Sequence, residues 1–278
     1  NKQLSEDYVM DITTYFKNIY NYVSTKKEYL EGDKSVSWYK YISEDYGSAR
    51  GIDFNIQKML SNFISGSASY CLAWTSGNSA GVVLQDDATS LREFPLPWDI
   101  RHNFGFNITF KVQKGEEFYL PFTDILVPTF ITDDFSTNFT FGLASGSPYT
   151  PLNDDDSAMD MNSELKPSTY SANLKFQKKI RLASKSSFRV YCNIGNLFNK
   201  KNVNWVYGKT GSATNDGKYT YVGTDEDGNY VETKPAGHVY GPNDYVSSKT
   251  VEIYNSVIKN PTAISQGRTL EIGVSFNF

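Results

Sequence analysis

The sequence predicts an all-β protein, a transmembrane antiparallel up-and-down β-barrel with about eight strands in these residues. Three observations support this prediction. Apolar and polar residues alternate with a period of two in several separate segments, as in strands whose two faces meet different environments. The chain contains 20 Tyr, 18 Phe and 4 Trp, and such rings suit a membrane interface, where one end is dry and the other wet. The connections between the segments alternate between short and long.

The last segment, GRTLEIGVSFNF (267–278), shows the alternation most clearly. Its apolar face consists of Leu270, Ile272, Val274, Phe276 and Phe278, and its other face carries Thr, Glu, Gly, Ser and Asn. A tilted strand of about ten residues is long enough to cross a bilayer. The segment therefore predicts a final transmembrane strand that ends on an aromatic residue.

The same alternation predicts the remaining strands. The predicted strands cover residues 6–20, 49–60, 65–77, 99–113, 135–146, 169–182, 187–198 and 267–278. The connections 21–48, 78–98, 147–168 and 199–266 are long, whereas 61–64 and 183–186 are tight turns. Outer-membrane barrels have short periplasmic turns and long extracellular loops. We therefore expect every long connection outside the cell, and the apolar segment 114–134 at the periplasmic membrane interface.

A soluble β-sandwich is the main alternative, because its strands also alternate. Its apolar face would be a core of mixed residue sizes, and its exterior would carry many Lys and Glu residues. In this chain the apolar face is repeatedly Phe and Tyr, and the other face is mostly Ser, Asn, Thr and Gly. This pattern favours a membrane-facing side and a lumen-facing side.

Several segments resemble motifs of TonB-dependent outer-membrane receptors of the Bacteroidota type. They are ARGIDFNIQK (49–58), PWDIRHNFGFNITF (97–110), ASGSPYTP (144–151), GNLFNKKN (195–202) and the last strand, GRTLEIGVSFNF. Their order and spacing agree with the family across nearly the whole chain. The SusC-like glycan and peptide importers and the Oar-like receptors are the most similar groups.

The resemblance implies that residues 1–278 are the C-terminal segment of a 22-stranded barrel, with no plug domain, TonB-contacting segment or signal peptide among them. It implies import of a scarce nutrient (a glycan, peptide, metal chelate or vitamin) across the outer membrane of a Gram-negative bacterium, driven by the TonB system. Outer-membrane lipid, the barrel assembly machinery and a surface lipoprotein are the implied partners. The assembly signal would be Phe278 with Phe276, Val274, Ile272 and Leu270. The alternative is a free-standing eight-strand barrel of adhesin or structural type.

The composition gives no support to an enzyme, a nucleic-acid-binding protein or a metal site. The net charge is −4, and Cys71 and Cys192 form neither a CxxC pair nor a metal-binding pattern. The chain contains only two histidines, His102 at the start of a strand and His238 in the last long connection. His102 could pair with Asp99, but a hydrogen bond at the end of a strand is the simpler interpretation. We therefore expect no catalysis and no cofactor.

Two loop features allow a functional hypothesis. The acidic run 153–156, with Asp160 and Glu164, could offer oxygen ligands to Ca²⁺, although a solvated loop is the simpler interpretation. Residues 219–231 predict a β-hairpin that turns at Asp227-Gly228. The loop aromatics are the best candidates for binding cargo, because flat rings at a wet site stack on sugars and chelates. The predicted ligand-binding residues are Trp205, Tyr207, Trp98 and Tyr149.

Overall fold

The structure is a computed structural model that describes residues 2–78, 93–182, 186–217, 221–224, 230–232, 245–246, 256 and 261–277. In chain order the strands are β1 (Lys2–Gln3), β2 (Tyr8–Leu30), β3 (Asp33–Ser61), β4 (Ile64–Asn78), β5 (Phe94–Pro95), β6 (His102–Val112), β7 (Phe118–Tyr119), β8 (Leu126–Val127), β9 (Phe135–Ala144), β10 (Pro148–Tyr149), β11 (Glu164–Leu165), β12 (Thr169–Arg181), β13 (Ser187–Gly195), β14 (Tyr221–Thr224), β15 (Tyr230–Glu232), β16 (Tyr245–Val246) and β17 (Thr269–Asn277). A helical turn, α1 (Thr129–Thr132), follows β8, and a 3₁₀ turn (Pro261–Ala263) precedes β17. In the described part of the chain, no helix is both long and apolar enough to cross a membrane.

One antiparallel sheet organises the chain, in the order β1-β2-β3-β4-β6-β9-β12-β13-β17, with β5 paired to the end of β4. The predicted all-β antiparallel fold is therefore confirmed. Each predicted strand overlaps one of the eight long strands of this sheet. Among the described residues, the end strands of the order do not pair with each other.

One face of the sheet is apolar across neighbouring strands. The register pairs Phe106 with Ala68 and Phe141, and it pairs Leu174 with Phe139 and Ile194. The rings of Phe106 and Phe141 have their centroids 5.5 Å apart. Within the described part of the chain, no second layer covers the end of this face: Ile272 and Val274 on β17 are 70% and 66% exposed.

The opposite face is polar and carries side-chain hydrogen bonds that cross from strand to strand. Asn138 on β9 donates from Nδ2 to Asn107 Oδ1 (3.0 Å) and Thr109 Oγ1 (2.8 Å) on β6. Asn193 on β13 donates to Glu271 on β17 at 2.9 Å. Because many of these groups bond to one another, this face needs neither a hydrophobic cover nor a dense set of charges. The sheet thus has the two-sided character that the alternation predicted.

The connection between β3 and β4 is a tight turn, as predicted. Asn62 and Phe63 both adopt positive φ (48° and 67°), which is the backbone geometry of a two-residue hairpin turn whose twist matches the strands. The turn between β12 and β13 is closed by a hydrogen bond from Leu182 N to Ser186 O at 2.9 Å, and residues 183–185 lie outside the described part.

The prediction of a long loop over 21–48 is wrong. β2 runs on to Leu30 and β3 begins at Asp33, so these residues form a long projecting β-hairpin whose pairs include Lys27 with Tyr39. Gly32 (φ 87°) forms the turn, since glycine adopts this conformation without steric cost. The segment also contains Val36, Trp38, Tyr41 and Ile42, which favour strands.

Other departures are smaller. The sequence did not predict β1, which pairs with the start of β2. The segment 114–134 contains the small hairpin β7–β8 followed by α1. The predicted hairpin at 219–231 is present as the pair β14–β15, although its predicted turn at Asp227-Gly228 lies outside the described residues. Phe278 and His238 also lie outside them, whereas Leu270, Ile272, Val274 and Phe276 share one exposed face of β17, as predicted.

Candidate ligand-binding site

The candidate site lies where the long connections leave the sheet, opposite the tight turns. A cavity of about 280 Å³ opens there, close to the lower limit for small-molecule pockets. Its walls come from the ends of β2, β3 and β4 and from the two connections that follow β4 and β9. The residues that line it include Ile19, Tyr46, Thr75, Leu96, Trp98 and Met161. Ile19 pairs with Gly47, and Thr75 pairs with Ala49. Gly47 and Ala49 lie on the same face of β3 as Asp53, so Ile19 and Thr75 belong to the polar face of the sheet.

A buried carboxylate holds Trp98 in this cavity wall. The neighbouring Asp99 is only 3% exposed and accepts hydrogen bonds from Thr75 N (2.7 Å) and Thr75 Oγ1 (3.2 Å). Arg101 pairs with the second oxygen of the same carboxylate at 3.0 Å. The Trp98 side chain remains 53% exposed. The carboxylate therefore fixes the backbone while the indole ring is left accessible to a ligand.

Asn162 joins the next long connection to this wall. Its side-chain amide donates to Pro95 O at 2.7 Å, and its backbone N–H donates to Thr150 Oγ1 at 3.0 Å. Asn162 is buried and has φ 52°, a conformation that asparagine tolerates better than most residues. The connection after β9 is thus attached to the segment that carries Trp98.

Trp205 and Tyr207 form a second group of aromatic residues at the same end. Their ring centroids are 4.5 Å apart in an edge-to-face arrangement, and Val206 between them is buried. Tyr207 N donates to Ser212 O (2.8 Å), and Gly211 N donates to Tyr207 O (2.8 Å). These bonds fold residues 207–212 into a compact turn that begins at Tyr207.

Tyr149 connects the two groups. A Cβ atom on Gly211 (φ 64°) would lie 2.6 Å from the Tyr149 hydroxyl, so the phenol rests on the turn that begins at Tyr207. Leu152 N donates to Gly208 O at 3.1 Å in the same contact. The next residue, Thr150, lines the cavity beside Trp98. The structure therefore gathers the four predicted residues at one end of the sheet, in two adjoining aromatic groups.

The other residues that the sequence suggested as functional have hydrogen-bond or ion-pair partners in the structure. His102 bonds through Nδ1 to the Tyr70 hydroxyl at 2.8 Å, whereas Asp99 pairs with Arg101. In the acidic run, Asp156 pairs with Lys209 at 3.0 Å. Hydrogen bonds from the Ser157 hydroxyl and backbone N–H lower the pKa of Asp155. Within the described ranges, no group of three or more His, Cys, Asp or Glu side chains has the geometry to hold a metal ion.

No pattern in the sequence predicted the cavity itself. Tyr46 fell inside the segment predicted as a loop, and Leu96 and Met161 stood in connections with no alternating pattern. The Pro-Leu-Pro-Trp run at 95–98 was the available signal, since two prolines restrict the backbone around the intervening leucine.

No family model matches this sequence, and no curated protein matches it. Among solved structures, the chain is similar to the crystal structure of the outer membrane transporter YddB from Escherichia coli. The TM-score is 0.54 at 8% sequence identity, and the match covers 100% of this chain and 31% of that one. The present chain thus spans about a third of the length of that transporter. It has the all-β antiparallel fold of part of an outer membrane transporter.

Proposed function

We propose that this chain forms part of the wall and the external loops of an outer-membrane transport barrel that imports a scarce nutrient. The observation that carries the proposal is the two-sided sheet. One face is apolar and exposed, the other is polar, and the long connections leave from one end. In water such a face would be an unusually large exposed apolar patch, whereas lipid covers it at no cost.

The similarity to YddB supports a barrel larger than these residues, because this chain covers only part of that transporter. The sheet order supports the same proposal, since β17 carries no partner on its outer edge among the described residues. A 22-stranded barrel with a plug, energised by TonB through a segment outside this chain, agrees with the resemblance of the sequence motifs. A surface lipoprotein and the barrel assembly machinery would be its partners.

The proposed binding surface comprises the cavity beside Trp98 and the aromatic group Tyr149, Trp205 and Tyr207. Its rings favour the flat faces of a sugar, a peptide side chain, a chelate or a vitamin. The proposed activity is transport without catalysis. The polar sheet face below would line the route of the cargo.

Growth of the source bacterium on limiting nutrients tests this proposal. A deletion strain complemented with the wild-type gene should regain uptake of one nutrient class, and a protonophore should abolish that uptake. A double variant, Trp205→Ala with Tyr207→Ala, should reach the surface but take up less cargo. Tyr39→Ala, an exposed tyrosine on the β2–β3 hairpin, is the matched control. If the deletion strain takes up nutrients normally but loses adhesion to other cells, the result would instead support the adhesin alternative.

A further inference from the structure

The segment 113–134 carries an unusual set of exposed apolar side chains at the tight-turn end of the sheet. β7 and β8 pair through Phe118 with Val127, and Leu120 N donates to Ile125 O at 2.9 Å to close the hairpin tip. The exposed apolar residues of the segment are Leu120, Phe122, Ile125, Leu126, Phe130 and Ile131. Water would be an unfavourable environment for such a cluster.

The segment is folded back against the apolar face of the sheet. The Phe118 ring packs edge-on against Phe110 on β6, with centroids 5.0 Å apart, and against Phe63 at 5.5 Å. Phe110 shares its face with Phe106 and Ile108. Val112, the last residue of β6 on that face, is fully buried, although Ile108 is exposed. The segment therefore extends the apolar face of the sheet.

Polar contacts hold the segment in this position. Lys178, on the apolar face of β12, donates from Nζ to the carbonyl oxygens of Ile131 and Asp133. Arg181 makes two hydrogen bonds to the Asp134 carboxylate, at 2.7 and 2.9 Å. Gly115 N donates to Asp133 Oδ1 at 3.0 Å. The C-terminal end of the segment is thus attached to β12, and the bond from Gly115 joins the N-terminal end to it, while the apolar side chains of the segment stay exposed.

Two lysines show at which height along the strands the segment lies. Lys58 on β3 and Lys178 on β12 stand on the otherwise apolar face, near the tight turns. The Lys58 ammonium donates to Ser61 O (3.0 Å) and Ile64 O (2.9 Å), back toward the turn. A lysine that buries its stem in an apolar surface and directs its charge outward is typical of a membrane boundary.

The length of the apolar face on β12 places the membrane boundary at the same height. On β12 the apolar face runs from Tyr170, where Lys200 lies 5.3 Å from the ring centroid, to Lys178. Eight residue steps at about 3.3 Å each give roughly 26 Å along the strand. A tilt of about 40° reduces this to roughly 20 Å, close to the apolar band of about 25 Å in outer-membrane barrels. The attachment of the segment 113–134 to Lys178 therefore lies at one edge of the apolar band.

We propose that the segment 113–134 is a lipid anchor that inserts the side chains of Leu120, Phe122, Ile125 and Phe130 into the phospholipid leaflet nearest the tight turns. This inference rests on the proposed outer-membrane location. The anchor enlarges the apolar contact of the wall at one point on its circumference. It fixes the depth of the neighbouring strands β6 and β9 in the bilayer.

Spin-label accessibility in lipid vesicles tests the proposal on the intact protein, in a background that lacks Cys71 and Cys192. Labels are placed singly at Phe122→Cys, Ile125→Cys and Phe130→Cys. Two controls are labelled in parallel: Lys114→Cys on the exposed turn before β7, and Ile272→Cys on the apolar face of β17. The anchor predicts high oxygen and low nickel-chelate accessibility at 122, 125, 130 and 272, and the reverse at 114. Full nickel accessibility at 122, 125 and 130, with 272 still in lipid, would overturn the anchor alone.

Other outcomes would show that something other than lipid covers the segment. Shelter from both oxygen and the nickel chelate at 122, 125 and 130 would mean that a protein, such as a second copy or a periplasmic partner, covers the segment, and would overturn the proposal. Nickel accessibility at 272 as well would overturn the proposed membrane location. A phosphatidylcholine that carries a diazirine on its acyl chain provides a second measurement on the unsubstituted protein. It should cross-link to peptides from 118–131, and their absence among the cross-linked peptides would contradict the anchor.

Discussion

The ring of Tyr191 on β13 lies across the backbone of Gly273, its direct partner on β17. A Cβ atom built on Gly273 would be 2.4 Å from Cζ and Oη of Tyr191. Tyr15 and Gly51 repeat this arrangement between β2 and β3, where the corresponding distance to the Tyr15 hydroxyl is 2.6 Å. Both pairs lie on the polar face. The absence of a side chain at each glycine lets a tyrosine ring lie flat against the sheet.

The substitution Gly273→Ala should destabilise the sheet by about 1–3 kcal/mol, as is typical when an atom is forced into filled space. The added methyl group would displace the Tyr191 ring and its hydroxyl from Glu271 Oε1, now 3.4 Å away. Urea unfolding in lipid vesicles, followed by electrophoretic mobility, measures the change. Gly105→Ala is the control, because its nearest atom, Ser69 Oγ, would lie at an ordinary 3.6 Å. The Tyr191→Ala background should remove the penalty, and an unchanged penalty there would contradict the steric explanation.

The sequence predicted strands well only where the two faces of the sheet differ. β6, β9 and β17 alternate because one face is apolar and the other polar, so their segments were recognisable. The outer parts of β2 and β3 extend beyond the apolar band, and both faces there are exposed, as Tyr39 and Val36 show. Where both faces of a strand meet the same environment, the sequence has no reason to alternate between apolar and polar residues. The segment 21–48 was therefore predicted as a loop.

The sequence predicted the aromatic residues of the candidate site but not how they are grouped. Trp98, Tyr149, Trp205 and Tyr207 could be selected as aromatic residues in long connections. Their grouping depends on contacts between distant parts of the chain, such as Asn162 with Pro95, which are 67 residues apart. No local pattern encodes such a contact, so the cavity was not predictable.

A positive charge on the apolar face should cost far more than one on the polar face. Phe106→Arg should lose about 2–4 kcal/mol if the position is near the bilayer midplane. The Phe106 ring packs against Phe139 and Phe141, with centroids 5.6 and 5.5 Å away. The neighbouring Asn107→Arg is the control. Its side chain lies on the polar face, where it loses a single hydrogen bond from Asn138. Folding yield into vesicles measures both, and equal losses would mean that the faces are wrongly assigned.

Attachment of the segment 113–134 should weaken in acid. The hydrogen bonds from Arg181 lower the pKa of Asp134 below the ordinary aspartate value of about 3.9. Because the folded pKa is depressed, the stabilisation is fully present above that ordinary value and is lost as the pH falls through the folded pKa. Hydrogen exchange of peptides from 113–134, corrected for the intrinsic effect of pH, should therefore accelerate only below about pH 4.

The variant Asp134→Asn should show faster exchange in the same peptides at pH 7, because the charge of Arg181 loses its partner. Asp124→Asn, an exposed aspartate in the hairpin tip, is the matched control and should exchange like the wild type. If Asp134→Asn leaves exchange at pH 7 unchanged, the ion pair does not hold the segment.

Deletion of residues 205–262 should leave a folded sheet but remove Trp205 and Tyr207 from the proposed binding surface. The ends of this connection are already adjacent, because Val203 bridges to Ile264 and Asn204 N donates to Ala263 O at 2.8 Å. Joining adjacent ends costs little loop entropy. Surface abundance and heat-modifiable mobility should be retained while uptake is lost. Normal cargo binding by this variant would exclude Trp205 and Tyr207 from the site and leave Trp98 and Tyr149 as the remaining candidates.

The end of the chain should control assembly. The outer edge of β17 has no partner among the described residues, and each unpaired N–H or C=O group in hydrocarbon costs several kcal/mol. Assembly therefore has to pair this strand before it meets lipid, and the family resemblance implies that a terminal aromatic residue is recognised at that step. Phe278 continues the face of Phe276, Val274, Ile272 and Leu270 in the sequence.

In the full-length protein, deletion of Phe278 or Phe278→Asp should lower surface abundance without changing transcript level. Asn277→Asp is the control, because it adds the same charge on the opposite face of the strand, beside Ser187. Quantitative surface labelling and transcript measurement distinguish assembly from expression, and normal abundance of the deletion variant would remove the assembly role from Phe278. The isolated chain of 278 residues should insert poorly or aggregate through its open edges. If it instead forms a heat-modifiable barrel of eight strands, then β2 closes on β17 and the free-standing alternative is correct.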